Sequence, residues 1–191
     1  MNYFNILKFI ELELFGLSCL LFCIGLILSY YIYKKQIKIF LFYPLWIWKL
    51  IKKYLKPESH FLKIFFMIFC LNSISLLGNL FSGFFIILPY IFAILLGINL
   101  GVILQKETGV LNFLTIFLNP VSFFELPAAW ISLSLGMKIA LSLYPKFIFS
   151  HAIEIFIKSF NVYFFVIIPL LIISGIIETI LIKMLTTLQA Q

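Results

Sequence analysis

The chain has 191 residues, of which 64% are hydrophobic, 19% aromatic and only 11% charged. A soluble domain has about 45–50% apolar and about 25% charged residues, so this composition excludes a soluble globular protein. Disordered and collagen-like chains are excluded as well, because both need polar or Gly/Pro-dominated sequence. The composition predicts a polytopic membrane protein with an all-α fold, in which residues 1–191 form a single integral membrane domain.

The charged side chains are of two kinds only, since all fourteen basic residues are Lys and all seven acidic residues are Glu. Without Arg there is no guanidinium for bidentate binding of a phosphate, and without Asp there is no Asp cluster for Mg²⁺. The lysines are distributed in a way that a membrane surface explains better than nucleic acid does. We therefore expect the lipid bilayer, and not nucleic acid, as the partner of this positive charge.

Five stretches are long and apolar enough to span a bilayer, which needs about 20 predominantly apolar residues. They are residues 12–33, 61–82, 84–104, 123–144 and 162–184. The first stretch resembles a signal peptide in its position, but it is too long for the apolar core of one and no small-residue cleavage site follows. We interpret it as a retained transmembrane helix.

The segment between the first two spans, residues 34–57, has a different pattern. At 100° per residue its seven lysines project into an arc of roughly 100°. These lysines are Lys34, Lys35, Lys38, Lys49, Lys52, Lys53 and Lys56. The pattern predicts a basic, aromatic-rich amphipathic helix at the membrane surface, in which Pro44 could begin a second piece. The lysine face is either simply solvated or a surface that recognises lipid or a partner.

The lysine distribution also predicts an orientation, because cytoplasmic loops carry an excess of Lys. The loop between spans one and two carries seven lysines, whereas Lys8 alone precedes the first span. This places residues 34–57 in the cytoplasm, the N-terminus outside and the C-terminus inside, in a multi-pass protein of the cell (cytoplasmic) membrane.

Two further segments are too short or too mixed to span. Residues 110–118 are apolar but end at the breaker formed by Asn119 and Pro120, which predicts a half-helix or re-entrant element. Residues 146–161 are mixed in polarity and predict an interfacial helix. The expected architecture is therefore about five transmembrane helices with interfacial and re-entrant helices.

Small residues recur four apart in three of the spans, which is typical of helices that approach each other closely in lipid. Ser75, Asn79 and Gly83 form such a ladder in the second span. The ladders of the third and fourth spans are Ala93, Gly97 and Gly101, and Ala128, Ser132, Gly136 and Ala140. They pack either within the chain or against a second copy in a homodimer.

The polar residues Asn72, Asn99, Glu125 and Glu178 fall inside predicted spans. Pro127 is favourable in the first turn of a helix, so Glu125 is predicted near a helix N-terminus, where an anion is favoured. The two glutamates form either a proton or cation relay or a structural lock, in which a carboxyl group hydrogen-bonds Asn99 or a backbone group. We favour the lock.

Catalysis is not indicated. The sequence has no Ser/His/Asp constellation, Gly-rich phosphate loop or zinc motif. His151 and Glu154 lie three residues apart, but two residues do not make a metal site. We expect no enzyme activity, no metal and no cofactor.

Several of these residues form motifs whose pattern resembles that of the stage II sporulation protein M family of integral membrane proteins. They are Asn72, residues 97–101 (GINLG), residues 119–128 (NPVSFFELPA), Gly136, and residues 175–178 (GIIE). The similarity covers about residues 61–184. Many family members have His and Gly where this chain has Val121 and Ser122, so no role that requires an imidazole there is expected.

The resemblance implies a multi-pass protein without known catalysis, similar to a namesake that assembles cell-wall-degrading partners during engulfment. We expect a non-catalytic scaffold that recruits other membrane or membrane-associated proteins. The alternative is a permease-like subunit of a transporter, for example one with a separate ATPase chain, that uses the intramembrane Glu125 and Glu178. A short apolar element followed by a glutamate resembles the broken helices of transporter binding sites.

Overall fold

The computed structural model describes residues 6–54, 59–109, 113–144 and 147–189, and within these ranges it contains helices and no strands. The helices, in chain order, are α1 (Leu12–Lys34), α2 (Lys38–Tyr54), α3 (Phe61–Ser82), α4 (Leu88–Thr108), α5 (Phe113–Leu118), α6 (Pro120–Leu143), α7 (Phe149–Val162) and α8 (Ile168–Gln189). A five-residue π-helix, Tyr163–Ile167, joins α7 to α8.

Five of these elements are long and apolar enough to cross a membrane: α1, α3, α4, α6 and the continuous stretch Phe149–Met184. The predicted all-α polytopic bundle is therefore confirmed. The last stretch has 36 residues, and a helix of that length is about 54 Å long, whereas the hydrocarbon core is about 30 Å thick. A stretch of this length either tilts strongly or extends beyond the hydrocarbon, and the predicted interfacial segment 146–161 overlaps its first half.

Helix α6 is the central element of the bundle. In its most apolar window 67% of the residues are buried inside the protein, against 28–39% in the other four spans. It contacts α1, α3, α4, α7 and α8. Since lipid would cover an outer helix on one side, this burial means that α6 is surrounded mainly by protein.

Contacts along α6 show how its neighbours run. The Ser18 hydroxyl of α1 donates to the backbone carbonyl of Trp130 over 3.1 Å, and Glu11, two turns earlier in the chain, pairs with Lys138, two turns later. Helices α1 and α6 are therefore antiparallel. The Ser132 hydroxyl donates to the carbonyl of Leu76 in α3, and later positions of both helices also meet, so α3 and α6 are parallel.

Helix α6 begins earlier than expected. Pro120 occupies its first turn, and the Asn119 side chain accepts a hydrogen bond of 3.0 Å from the backbone N–H of Val121. The prediction that Pro127 lies in the first turn is wrong, because Pro127 lies inside the helix and Glu125 lies in the second turn. An Asn cap followed by Pro120 is sufficient to begin the helix, so Pro127 is not needed to begin it.

Two other boundaries differ from the predicted ones. The third span was expected from residue 84, but α4 begins at Leu88, with Pro89 in its first turn. Helix α5 has only six residues, and residues 110–112 of the expected re-entrant element lie outside the described ranges. Ile116 of α5 is buried in a cluster with Phe22 and Leu126, so this short helix packs on the bundle.

Helix α2 is continuous through Pro44 and packs against α4. Leu41 is buried in a cluster that includes Ile98 and Val102, and the indole N–H of Trp48 donates to the Glu107 carboxylate over 3.1 Å. Later residues of α2 contact later residues of α4, so the two helices run in the same direction. The predicted basic helix is therefore attached lengthwise to a membrane span.

Candidate functional site: the glutamate pair and the basic face of α2

The two glutamates predicted inside spans lie on two different helices that pack against each other. Glu125 is in the second turn of α6 and Glu178 is in α8, which packs against α6. Both side chains are partly buried, and they are close enough that their negative charges repel when both groups are ionised. Within the described ranges neither carboxyl group has a hydrogen bond or an ion pair with protein.

The surroundings of the pair include a second polar group. Ser174 lies one turn before Glu178, is fully buried, and its hydroxyl has no hydrogen-bond partner in the described part of the chain. Next to it, Gly175 packs against the ring of Phe65 in α3. An intramembrane carboxyl group is costly to bury in its charged form, so such groups are usually neutral, paired or placed on an ion or substrate pathway.

Among the described residues neither glutamate is hydrogen-bonded to Asn99, one of the two kinds of partner considered for the structural lock. Asn99 instead faces a groove between α3 and α4, where Asn79 and Ser75 also lie. Asn72 is half-buried on α3. The structure thus brings the two glutamates together and places the predicted asparagines elsewhere.

The hydrogen bonds that join the helices come mainly from residues that the sequence analysis did not single out. The Gln105 amide donates to the hydroxyl of Ser29 over 3.3 Å, joining α4 to α1. The hydroxyl of Tyr163 donates to the carbonyl of Ser73 over 2.8 Å, joining the π-helix to α3. These interhelical hydrogen bonds are hard to predict from the sequence, because a single serine in an apolar helix usually hydrogen-bonds the backbone of its own helix.

The small-residue ladders pack within the chain. In α4, Ala93 is fully buried, Gly97 packs against the backbone of α1 near Phe22 and Leu26, and Gly101 packs against Ser29. Gly25 of α1 packs in turn against the backbone of Ile94 and Ile98. Gly25 and Ser29, four apart, form the matching ladder on α1, which the sequence analysis missed.

The ladder of α6 contacts α3 and neighbouring helices. Gly136 packs against the backbone carbonyl of Asn79, and Gly83 packs against the carbonyl of Gly136. Ala128, Ser132 and Ala140 are fully buried. The ladders of α4 and α6 therefore make crossings inside one chain, whereas Ser75 of the α3 ladder is exposed.

The lysines of the basic segment are exposed wherever they are described. Lys34 and Lys35 end α1, each near a tyrosine ring, with Lys35 Nζ 4.5 Å from the ring centre of Tyr31. The side chain of Lys52 and all of Lys56 lie outside the described part of the chain. The remaining lysines of α2 share a face with two large aromatic side chains.

We call this face the α2 surface: Lys38, Phe42, Trp46, Lys49 and Lys53. At 100° per residue the five positions fall within an arc of about 80°. Phe42 is 75% exposed and Trp46 is 49% exposed, while the opposite side of α2 is anchored to α4 through Leu41 and Trp48. The α2 surface therefore presents aromatic and cationic side chains outward from a fixed helix.

Among the described residues no group of three or more His, Cys, Asp or Glu side chains is arranged to bind a metal ion. A sequence model of the stage II sporulation protein M family matches residues 18–181. The chain belongs to the stage II sporulation protein M family. The resemblance inferred from the sequence is therefore confirmed.

The match to the stage II sporulation protein M family extends from α1 into α8 and includes both glutamates and the α2 surface. It leaves out the segment that precedes Ser18, which contains Glu11 and packs near the end of α6. Comparison with curated proteins and with solved structures gives no match. Family membership and five apolar helices together identify a multi-pass membrane protein.

Proposed function

We propose that this protein is a non-catalytic membrane scaffold of the cell membrane that recruits partner proteins through the α2 surface. The family to which it belongs is one of membrane proteins not known as catalytic. A scaffold needs a rigid body and an exposed recognition face, and the central position of α6 together with the α2 surface meets both needs.

The observation that carries this proposal is the composition and exposure of the α2 surface. Trp and Phe are enriched at protein interfaces and dominate their binding energy when a partner covers them. Phe42 and Trp46 are exposed although their helix is anchored on its other side, and flanking lysines would favour an acidic partner. An aromatic and cationic face of this kind is expected to bind a protein at the membrane surface.

A site-specific photo-crosslinker in native membranes tests the proposal. A benzophenone side chain in place of Phe42 or Trp46 should form adducts with another polypeptide. The matched control is the same group in place of Ile74 of α3 or Phe164 of the π-helix, which are 67% and 56% exposed within apolar spans. Recovery of protein adducts from the controls alone, or from none of the four positions, contradicts the proposal.

A permease-like subunit of a transporter is the second candidate, and the glutamate pair with the unpartnered hydroxyl of Ser174 is the observation that favours it. Intramembrane carboxyl groups mark ion and substrate pathways in transporters. This candidate predicts proton-coupled or substrate flux in proteoliposomes that Glu125→Gln abolishes. Absence of flux with an intact partner complex would favour the scaffold.

A further inference from the structure

A groove of about 550 Å³ lies between α3 and α4, with the first turns of α2 along its side. We call it the α3–α4 groove. Its volume falls within the range of roughly 300–1,000 Å³ that is usual for small-molecule sites. Phe92 and Leu95 contribute apolar walls, while Tyr43, Ser75, Asn79 and Asn99 contribute polar groups.

The polar side chains of the α3–α4 groove have no hydrogen-bond partner among the described residues. Asn79 is only 9% exposed, yet its side-chain amide makes no hydrogen bond within the described part of the chain, and neither does that of Asn99. The hydroxyls of Ser75 and Tyr43 are likewise unpartnered among the described residues. An unpaired amide in a hydrocarbon environment is costly, so the buried Asn79 and the half-buried Asn99 beside one cavity indicate a bound molecule with hydrogen-bonding atoms.

The size of the groove discriminates between possible occupants. A helix with its side chains is about 10–12 Å across, so a volume of about 550 Å³ accommodates only about one helical turn. A partner helix would therefore enter the groove along about one turn only. An extended acyl chain is much thinner and is abundant around any membrane span.

We propose that the α3–α4 groove binds one chain of an ester-linked membrane lipid, with the Asn79 and Asn99 amides donating hydrogen bonds to its carbonyl or hydroxyl oxygens. The apolar walls accept the hydrocarbon, and Tyr43 and Ser75 supply further donors. The site is separate from the glutamate pair and from the α2 surface, so it does not depend on the scaffold proposal.

Native mass spectrometry of the detergent-purified protein tests this proposal with two probes, dioleoyl phosphatidylglycerol and its diether analogue, which lacks the ester carbonyls. The wild-type protein should bind the ester lipid about 3- to 10-fold more tightly, the value of about one net hydrogen bond. Asn99→Leu should remove this preference without abolishing binding. Equal affinity of the wild-type protein for the two lipids, or binding of neither, overturns the proposal.

A filling substitution gives an independent test. Ser75→Phe places a ring in the α3–α4 groove and should reduce retention of the ester lipid at least tenfold. The matched control is Ile74→Phe, because Ile74 is the preceding residue, is 67% exposed and does not line the groove. Similar lipid retention by the Ser75→Phe variant and the control overturns the proposal.

Discussion

Two glycines allow the backbones of α1 and α4 to touch. A Cβ atom added at Gly97 would meet the backbone carbonyl oxygen of Phe22, which cannot move away unless the helices separate. Overpacking of this kind usually costs about 1–3 kcal/mol. We therefore expect Gly97→Ala to lower the thermal unfolding temperature in detergent by at least about 2 °C.

Gly78 provides the matched control for this substitution. It also lies within a transmembrane helix, but nothing lies within 4 Å of the Cβ that alanine would add. Alanine favours a helix over glycine by about 1 kcal/mol, so Gly78→Ala should leave the unfolding temperature unchanged or raise it. An equal decrease in both variants would mean that α1 and α4 do not pack through Gly97.

The glutamate pair makes a residue-level prediction about assembly. Glu125→Gln keeps the size and polarity of the side chain and removes the charge repulsion with Glu178, so the bundle should keep or gain thermal stability. Glu125→Leu removes the same repulsion and an unpaired carboxyl group, so it should not lower stability, and a loss of about 1–3 kcal/mol would instead indicate a hydrogen bond between the two carboxyl groups. Thermal unfolding in detergent measures the stability of both variants. A Glu125→Gln variant that assembles normally but loses function would show that the pair is more than structural.

At the scale of elements, Lys138 fixes the N-terminal segment to α6. Its ammonium group lies 3.0 Å from the Glu11 carboxylate, donates to the backbone carbonyl of Phe9 over 2.8 Å and lies 3.7 Å from the centre of the Phe9 ring. Lys138→Met keeps the apolar stem and removes all three interactions. We expect limited proteolysis of the segment before α1 to become several-fold faster.

Lys158→Met is the control for this prediction, because Lys158 pairs with Glu154 of its own helix and both side chains are exposed. Such a pair contributes about 0.3–0.5 kcal/mol and joins no two elements. If both variants are cleaved at the wild-type rate, the N-terminal segment is fixed by contacts other than those of Lys138.

Features that depend on residues close together in the sequence could be predicted, whereas contacts between distant helices could not. Apolar run length identifies the spans, and the ladder ending at Gly136 identifies a helix crossing, because both signals are local. The start of α6 was misplaced because Pro120 and Pro127 are equally suitable first-turn residues when read alone. Local patterns also contain no information on which helices become neighbours, so the contact of Gly97 with α1 and the meeting of Glu125 with Glu178 could not be foreseen.

At the scale of the whole molecule, the lysines concentrate at one end of the bundle. Lys34, Lys35, Lys49, Lys53, Lys63 and Lys106 lie where α1, α2 and α4 end and α3 begins. Lys8 and Lys138 lie at the other end, near Glu11. Because lysine-rich ends remain on the cytoplasmic side, the end of α2 that carries Lys49 and Lys53 is expected there.

Cysteine accessibility in intact cells tests this orientation. In a background with Cys19, Cys23 and Cys70 replaced by alanine, Lys8→Cys should react with a membrane-impermeant thiol reagent. Lys53→Cys should react only after the membrane is permeabilised. The opposite pattern would place the α2 surface outside the cell and would exclude a cytoplasmic partner.

Recruitment by the α2 surface is tested most directly by quantitative co-purification from native membranes in mild detergent. The comparison is between the wild-type chain, a variant with Lys38, Lys49 and Lys53 changed to Gln, and a control with Lys8 and Lys158 changed to Gln. We predict a co-purifying protein whose yield falls at least fivefold in the first variant and is unchanged in the control. Equal yields from all three chains, or no partner with the wild-type chain, would contradict the scaffold account.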